Sequence, residues 1–474
     1  MKTRNPPATR DETALLSASE LRRRMAAGDL GAVDVVEACL ERVERLNPEL
    51  NAIVTLNPRA LDEARALDDA RARGSQPGPL FGLPVGIKDV TPVGGLRTTF
   101  GSPMYREHVP ADDALIVRRL RDAGAVILGK TNTPEFAAGG NTFNEVFGAT
   151  RNPWRTDLSA GGSTGGGAVG LATGMIAIAE GTDLGGSLRI PASFCGVVGL
   201  RPSPGLVPTA PSDFVWDTLQ VTGTMARTAE DVALSLQAVA GPSRWAPLAQ
   251  PVEGRDFVGA VRRGVKRGAR VAWVADIAGI GVDPGIEAVC RDAALELRQE
   301  GVEVEEIELD LSEARKAFLA LRGHWMIAHQ YTRLERADEF GVNVANNVRL
   351  GLETTTRDLG AAEEVRGRMW HTFRQLFERY DALLTPCMAV PPFPVERNYP
   401  ETIAGRPMST YIDWIAPTFV LSMTGLPVAS VPCGLDGEGL PVGMQVVAPP
   451  RDEEGALAVA ATIQRVRPIG LPPI

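Results

Sequence analysis

Two glycine-rich turns in this chain each carry a serine. Ser163 sits in GGSTGGG (161–167) and Ser187 in GTDLGGSLR (181–189). Without a Cβ, glycine lets backbone N–H groups come close to a ligand. Successive N–H groups in such a turn can form a nest for an anion. Two such turns could position two serines beside an anion-holding nest, although a lone loop of this kind is more often a plain tight turn. The basic residues sharpen the reading. Of 49 Lys and Arg residues, only Lys2, Lys88, Lys130, Lys266 and Lys316 are lysines, and there are four histidines. A histidine-rich metal site is not expected, and each lysine near a glycine motif is weighed separately.

One such lysine is set aside. Gly124 to Thr131, GAVILGKT, fits the phosphate-loop pattern GxxxxGK[ST]. A phosphate loop needs a flexible glycine-rich turn after a strand. Here the middle residues are Ala-Val-Ile-Leu and the preceding segment reads as helix, so AVIL is expected to be a core strand with Lys130 at its end. The net charge of −9 argues against a nucleic-acid partner, which would call for a basic surface. No apolar run approaches the roughly 20 residues that span a bilayer. The N-terminal MKTRNPPATRDE lacks the apolar stretch of a secretion signal. The expectation is a cytoplasmic protein with no membrane partner. Five dispersed cysteines with no CxxC point to reduced, buried thiols.

The elements that must hold these loops follow an α/β rhythm. Ser19 is expected to cap a helix over ELRRRMAAG, and GAVDVVEACLERVERL has helical apolar spacing. Residues 78–90 read as a loop feeding a strand that ends near Lys88. A helix at 112–123, the strand at 125–128, a helix at 166–174 and a strand at 175–179 follow. After a linker-like stretch at 241–256 come a strand at 269–276, a helix from Gly285 to about Gln299, and the strand VEVEEIEL. Residues 312–380 read as mostly helical, and the tail supplies the strands PVASVPCG and LPVGMQVVA. Helix-to-strand alternation of this kind predicts an α/β sheet.

Lys88 in GLPVGIKD, Ser163 in GGSTGG and Ser187 in GTDLGGSLR lie 75 and 24 residues apart. GKTNTPEFA (129–137), ATRNPW (149–154), PASFCGVVGLRPS (191–203), GLPVASVPCG and GLPVGMQVV flank them. Together these segments resemble the amidase signature family, over about residues 12 to 465. The resemblance implies one domain over 1–474 with a large mixed central sheet covered by helices on both faces. Its catalytic core would span about 70–240 and a more variable pocket or lid region about 312–420.

The resemblance also implies a Ser–Ser–Lys triad. Ser187 would attack the carbonyl carbon, Ser163 would relay the proton, and Lys88 would be the base. Ser163 would follow a cis peptide from Gly162. A serine hydroxyl needs a base within hydrogen-bond reach. Lysine serves only when neutral, so burial must bring it down by several units from about 10.4. The apolar GLPVGI fits such burial, although the residues alone favour an ordinary lysine paired with Asp89 or a helix end. Backbone N–H groups of Leu184, Gly185, Gly186 and Ser187 would hold the oxyanion. Asp183, Arg189 and Thr164 would fix the loops. Thr164 departs from the family's frequent second serine and adds a methyl group. Cys195, in the FCG element, reads as packing. No cofactor or metal is implied.

The expected substrate is a small-molecule amide, with carbamates (urethanes) and esters open to the same chemistry. The alternative is the glutaminase subunit of a tRNA-dependent amidotransferase, which reads glutamine with an arginine and an aspartate. Arg366 matches that arginine by its distance from Tyr380-Asp381. Ile415 stands near the aspartate's place, with Asp413 out of register, and Ser422 replaces the family's frequent asparagine. These changes favour a less polar substrate. Phe214, Trp216, Trp325, Trp414, Ile415 and Phe419 are the candidate lining residues. Homodimers are common in the family, and that assembly is carried as an expectation.

Overall fold

The computed structural model describes residues 9–309 and 311–474. The N-terminal stretch on which the expectation about a secretion signal falls lies largely outside them, at 1–8. Eleven strands form one sheet. In chain order they are β1 (Ile53–Leu56), β2 (Pro84–Lys88), β3 (Val126–Thr131), β4 (Ile178–Asp183), β5 (Val198–Arg201), β6 (Val221–Ala226), β7 (Arg270–Trp273), β8 (Glu303–Glu306), β9 (Ala382–Pro386), β10 (Val428–Leu435) and β11 (Pro441–Val447). Across the sheet they run β1-β3-β2-β4-β6-β5-β10-β11-β9-β7-β8. β2 pairs in parallel with β3 and β4, whereas β4–β6 and β10–β11 are antiparallel. The sheet is therefore mixed, as expected.

Period-2 alternation assigns the side chains to its two faces. In β7 and β9, Val271, Trp273, Ala382 and Leu384 join one apolar core, while Ala272 and Leu383 join the other. Helices from both ends of the chain cover the first core, including Ala32–Leu50 and Glu453–Val466. Those of the 312–380 region, Ala314–Gln330, Val342–Glu353 and Thr356–Leu376, cover the second. Among the described residues no helix is long and apolar enough to cross a membrane.

Two local expectations are corrected. Ser17, not Ser19, caps the helix Ala18–Ala27 by accepting from Glu20 N–H. Ser19 lies inside that helix and bonds Asp231 instead. The strand placed at 175–179 begins at Ile178 and runs through Asp183, so it carries the GTD motif itself. The phosphate-loop look-alike is strand β3, with Lys130 inside it and buried.

Candidate active site

The sheet places three loops side by side. Lys88 ends β2, and Ile87 pairs with Glu180 on β4. Ser187 follows β4 in the turn before the short helix Arg189–Cys195. Ser163 precedes the helix Gly165–Ala172, and the Gly162–Ser163 peptide is cis. Thr142 holds this last turn at both ends, since its hydroxyl donates to Gly161 O (2.8 Å) and accepts from Gly165 N–H (3.2 Å).

Lys88 has no exposed surface, and its Nζ lies 2.7 Å from Ser163 Oγ and 3.0 Å from Thr182 Oγ1. Burial draws its pKa down to about 7, against the opposing pull of Glu180 and Asp183. The amine is thus poised between charged and neutral near neutral pH. Beneath it, Glu180 accepts from Lys88 N–H (3.1 Å) and Thr91 Oγ1 (2.9 Å). Burial raises the Glu180 pKa.

Ser187 is half-buried. Its carbonyl accepts from Thr164 N–H at 3.2 Å, which joins the two serine loops. Its hydroxyl makes no hydrogen bond among the described residues and faces a narrow cavity. Gly186 has φ +123°, and a Cβ there would run into the Thr418 side chain. Only glycine meets both conditions.

Asp183 organises this turn. It accepts from Gly186 N–H (3.0 Å), Leu188 N–H (3.1 Å) and the Arg189 guanidinium (2.9 and 3.1 Å), with Arg201 at 3.3 Å. Burial raises its pKa, but Arg189 and Arg201 outweigh that and hold it at about 2. Arg189 in turn bonds Thr418 O, Gln445 and Ser422. Because Gly186 N–H is spent on Asp183, it leaves the expected oxyanion set. The amides of Leu184, Gly185 and Ser187 have no partner among the described residues.

Thr164 fits without a serine's smaller volume. Its methyl packs toward Gly181 and Gly167, where no Cβ competes for the space. Cys195 is buried, its thiol against Ala160 O, with a raised pKa, as befits a packing residue.

Two cavities meet here, sharing Ala137, Thr182, Gln220 and Trp325. The outer chamber, of about 300 Å³, holds Phe214 and the residues around it. The inner pocket, of about 20 Å³, holds Ser187, Leu184, Gly185 and Ile415. Phe136 and Ala137 on their rim have positive φ (45° and 59°), a conformation most non-glycine residues avoid.

Of the aromatic and apolar candidates, Phe214, Trp325 and Ile415 line a cavity, and the other three do not. Trp216 is 66% exposed. Trp414 is fully buried, stacked with Phe194 and edge-on to Phe393. Phe419 is buried face to face with Phe318, at 4.1 Å between centroids. Ser422 lies on Arg189 rather than in a cavity. Residues the motifs did not point to are Thr182, Glu180, Arg201, Gln220, Arg322 and Tyr411. Thr182 and Arg201 had a signal, since they belong to the GTD motif and to PASFCGVVGLRPS (191–203).

The family profile described as Amidase matches residues 34–457. An acylamidase of Rhodococcus erythropolis is 35% identical over 464 residues, covering 96% of each chain. A glutamyl-tRNA(Gln) amidotransferase subunit from Symbiobacterium thermophilum is 33% identical over 492 residues, covering 95% of this chain and 97% of its own. The crystal structure of a bacterial aryl acylamidase superposes with a TM-score of 0.89 at 27% identity, covering 96% of this chain and 97% of the other. The chain belongs to the amidase signature family. It is a hydrolase that acts on amide C–N bonds.

Proposed function

We propose that the protein cleaves small-molecule amides through an acyl-enzyme on Ser187. The observation that carries this reading is the buried Lys88 amine 2.7 Å from Ser163 Oγ. Neutral Lys88 takes the Ser163 proton as Ser163 takes that of Ser187, and Ser187 Oγ attacks the carbonyl carbon. The Leu184, Gly185 and Ser187 amides receive the oxyanion. One such donor is worth about 2.7–4 kcal/mol in the transition state. The relay then runs backward and protonates the leaving nitrogen, which departs. Water, deprotonated along the same path, attacks the acyl carbon, and Ser187 recovers its proton as the acid leaves. Carbamates and esters present the same carbonyl geometry to the site.

The similarity to that amidotransferase component favours a second reading, a glutaminase. Arg366, the candidate glutamine reader, is spent on Met423 O (2.8 Å) and Thr218 (2.8 Å) and lines neither cavity. Asp413 pairs with Arg315 and accepts from the Ser409 and Thr410 amides. Neither residue is available to glutamine, which favours the stand-alone amidase.

The deciding experiment is a panel of anilides, aliphatic amides, carbamates and glutamine given to the purified chain, with Ser187→Ala as control. Hydrolysis of anilides that the control lacks is the expected result. Activity retained by the control, or restricted to glutamine, contradicts the reading.

A further inference from the structure

The inner pocket that holds Ser187 also holds a cation the reaction does not use. Arg322, on the helix Ala314–Gln330, is 6% exposed and lines this pocket with Tyr411. Its Nε donates to Asn347 Oδ1 (2.9 Å) and its Nη2 to Tyr411 OH (2.7 Å). Nη1 donates to nothing, and no carboxylate pairs with the guanidinium, among the described residues. Tyr411 OH also accepts from Asn347 Nδ2 (2.7 Å), whose other proton goes to Asn343 O (2.6 Å). Arginine and an amide nitrogen only donate. Both neighbours of the phenol therefore give it protons, and its own proton has no acceptor among the described residues. The pocket wall thus offers an Arg322 N–H and a Tyr411 O–H, and a buried positive charge without a counter-ion. Such a charge is costly until an anion completes it, and a carboxylate supplies two acceptor oxygens in the guanidinium's geometry.

The two cavities say which end of the substrate carries that group. The leaving amine departs while the acyl group stays on Ser187, so the amine belongs in the wide outer chamber and the acyl group in the smaller inner pocket that holds Ser187. The inner pocket, at about 20 Å³ little more than a water's room, admits only a short acyl chain, and only as side chains of its wall move aside. We infer that Arg322 and Tyr411 form a carboxylate subsite, and that the preferred substrates are monoamides of short dicarboxylic acids with an apolar or aromatic amine portion. This rests on the acyl-enzyme reading for the assignment of the two ends. Glutamine fits poorly, because among the described residues no carboxylate lines the inner pocket to meet its ammonium.

The test compares the monoanilide of succinic acid with pentananilide, which replaces the carboxylate by an apolar end. On the wild-type chain, kcat/KM for the carboxylated anilide should be higher by about ten-fold or more, as charged hydrogen bonds allow. Arg322→Met should abolish that ratio, mostly through KM. Tyr411→Phe, which removes one oxygen and leaves the ring packed, should lower it several-fold. Calorimetry on Ser187→Ala reads the same preference as affinity, without turnover. Equal or weaker binding of the carboxylated anilide by Ser187→Ala overturns the subsite whatever the kinetics show. Preferential binding that Arg322→Met and Tyr411→Phe leave intact also overturns it. Hydrolysis that persists in Ser187→Ala defeats the acyl-enzyme reading alone, and the binding result then still decides the subsite.

Discussion

Lys88 and Lys130 stand on neighbouring parallel strands, one register step apart, because Lys130 pairs with Ile87. Both are fully buried, and burial lowers both pKa values, to about 7 and about 8. The pleat sends them to opposite faces of the sheet. Lys88 meets the Ser163 and Thr182 hydroxyls. Lys130 meets the Thr91 carbonyl and the Thr98 hydroxyl and is drawn by Asp89 and Glu180. Burial supplies a poised amine in both places. Only at Lys88 does the amine touch a serine hydroxyl, in a loop hydrogen-bonded to that of a cavity-facing second serine, so the partner, and not the desolvation, is what separates the proposed base from a strut.

Replacing each lysine by methionine tests this separation most strongly. Lys88→Met should lower kcat by about 10⁴-fold or more, the scale of losing a member of a catalytic triad. Lys130→Met should instead cost about 1–3 kcal/mol of stability in urea unfolding, because the Thr91 carbonyl loses its buried donor and Asp89 loses a nearby positive charge. Asp89 has one carboxylate oxygen without a hydrogen bond among the described residues, and burial raises its pKa against the opposing pull of Lys130, its Thr99 hydrogen bonds and Arg97, so removing Lys130 adds to its cost. Equal loss of activity in the two variants at unchanged stability would erase the distinction.

Asp183→Asn comes next. It strips the counter-charge from the buried Arg189 and Arg201 and should cost about 3–5 kcal/mol, seen as a lower Tm. Smaller is the pH effect. In the proposed relay the base is the deprotonated amine, so kcat/KM should rise about ten-fold per pH unit below about 7 and level off above it. A profile that falls across that range assigns the wrong protonation state. Smallest is Thr164→Ser, which removes one buried methyl between Gly181 and Gly167. A stability loss of about 0.5–1.5 kcal/mol and a kcat within a few-fold of wild type are expected.

What residue types announce locally is what glycine and serine announce. Lys88, Ser163 and Ser187 sit in short motifs whose backbone needs are visible in residue type, and the structure brings the three loops together. Strands of β-branched and apolar residues were equally legible. Trp216, Trp325 and Trp414 were not separable, because an aromatic side chain looks the same whether it ends on the surface, on a cavity wall or in the core. The layers around it decide. Arg322, Asn347 and Tyr411 lie 25 and 64 residues apart, on separate segments. Only the tertiary packing of two helices and a turn brings them together beside the inner pocket, so no spacing rule could find them. Asp183 was recognised as a support, but its capture of the Gly186 amide depends on a turn geometry that residue types leave open.

The central claim, a neutral Lys88 at Ser163, can be measured on the lysine itself. With five lysines in the chain, ¹³Cε-lysine labelling gives an NMR titration with few signals. One signal should titrate near pH 7 and vanish in Lys88→Met, and a second near pH 8 should vanish in Lys130→Met. If the Lys88 signal titrates with the exposed lysines at about 10.4, the amine is charged at neutral pH and the proposed relay has no base.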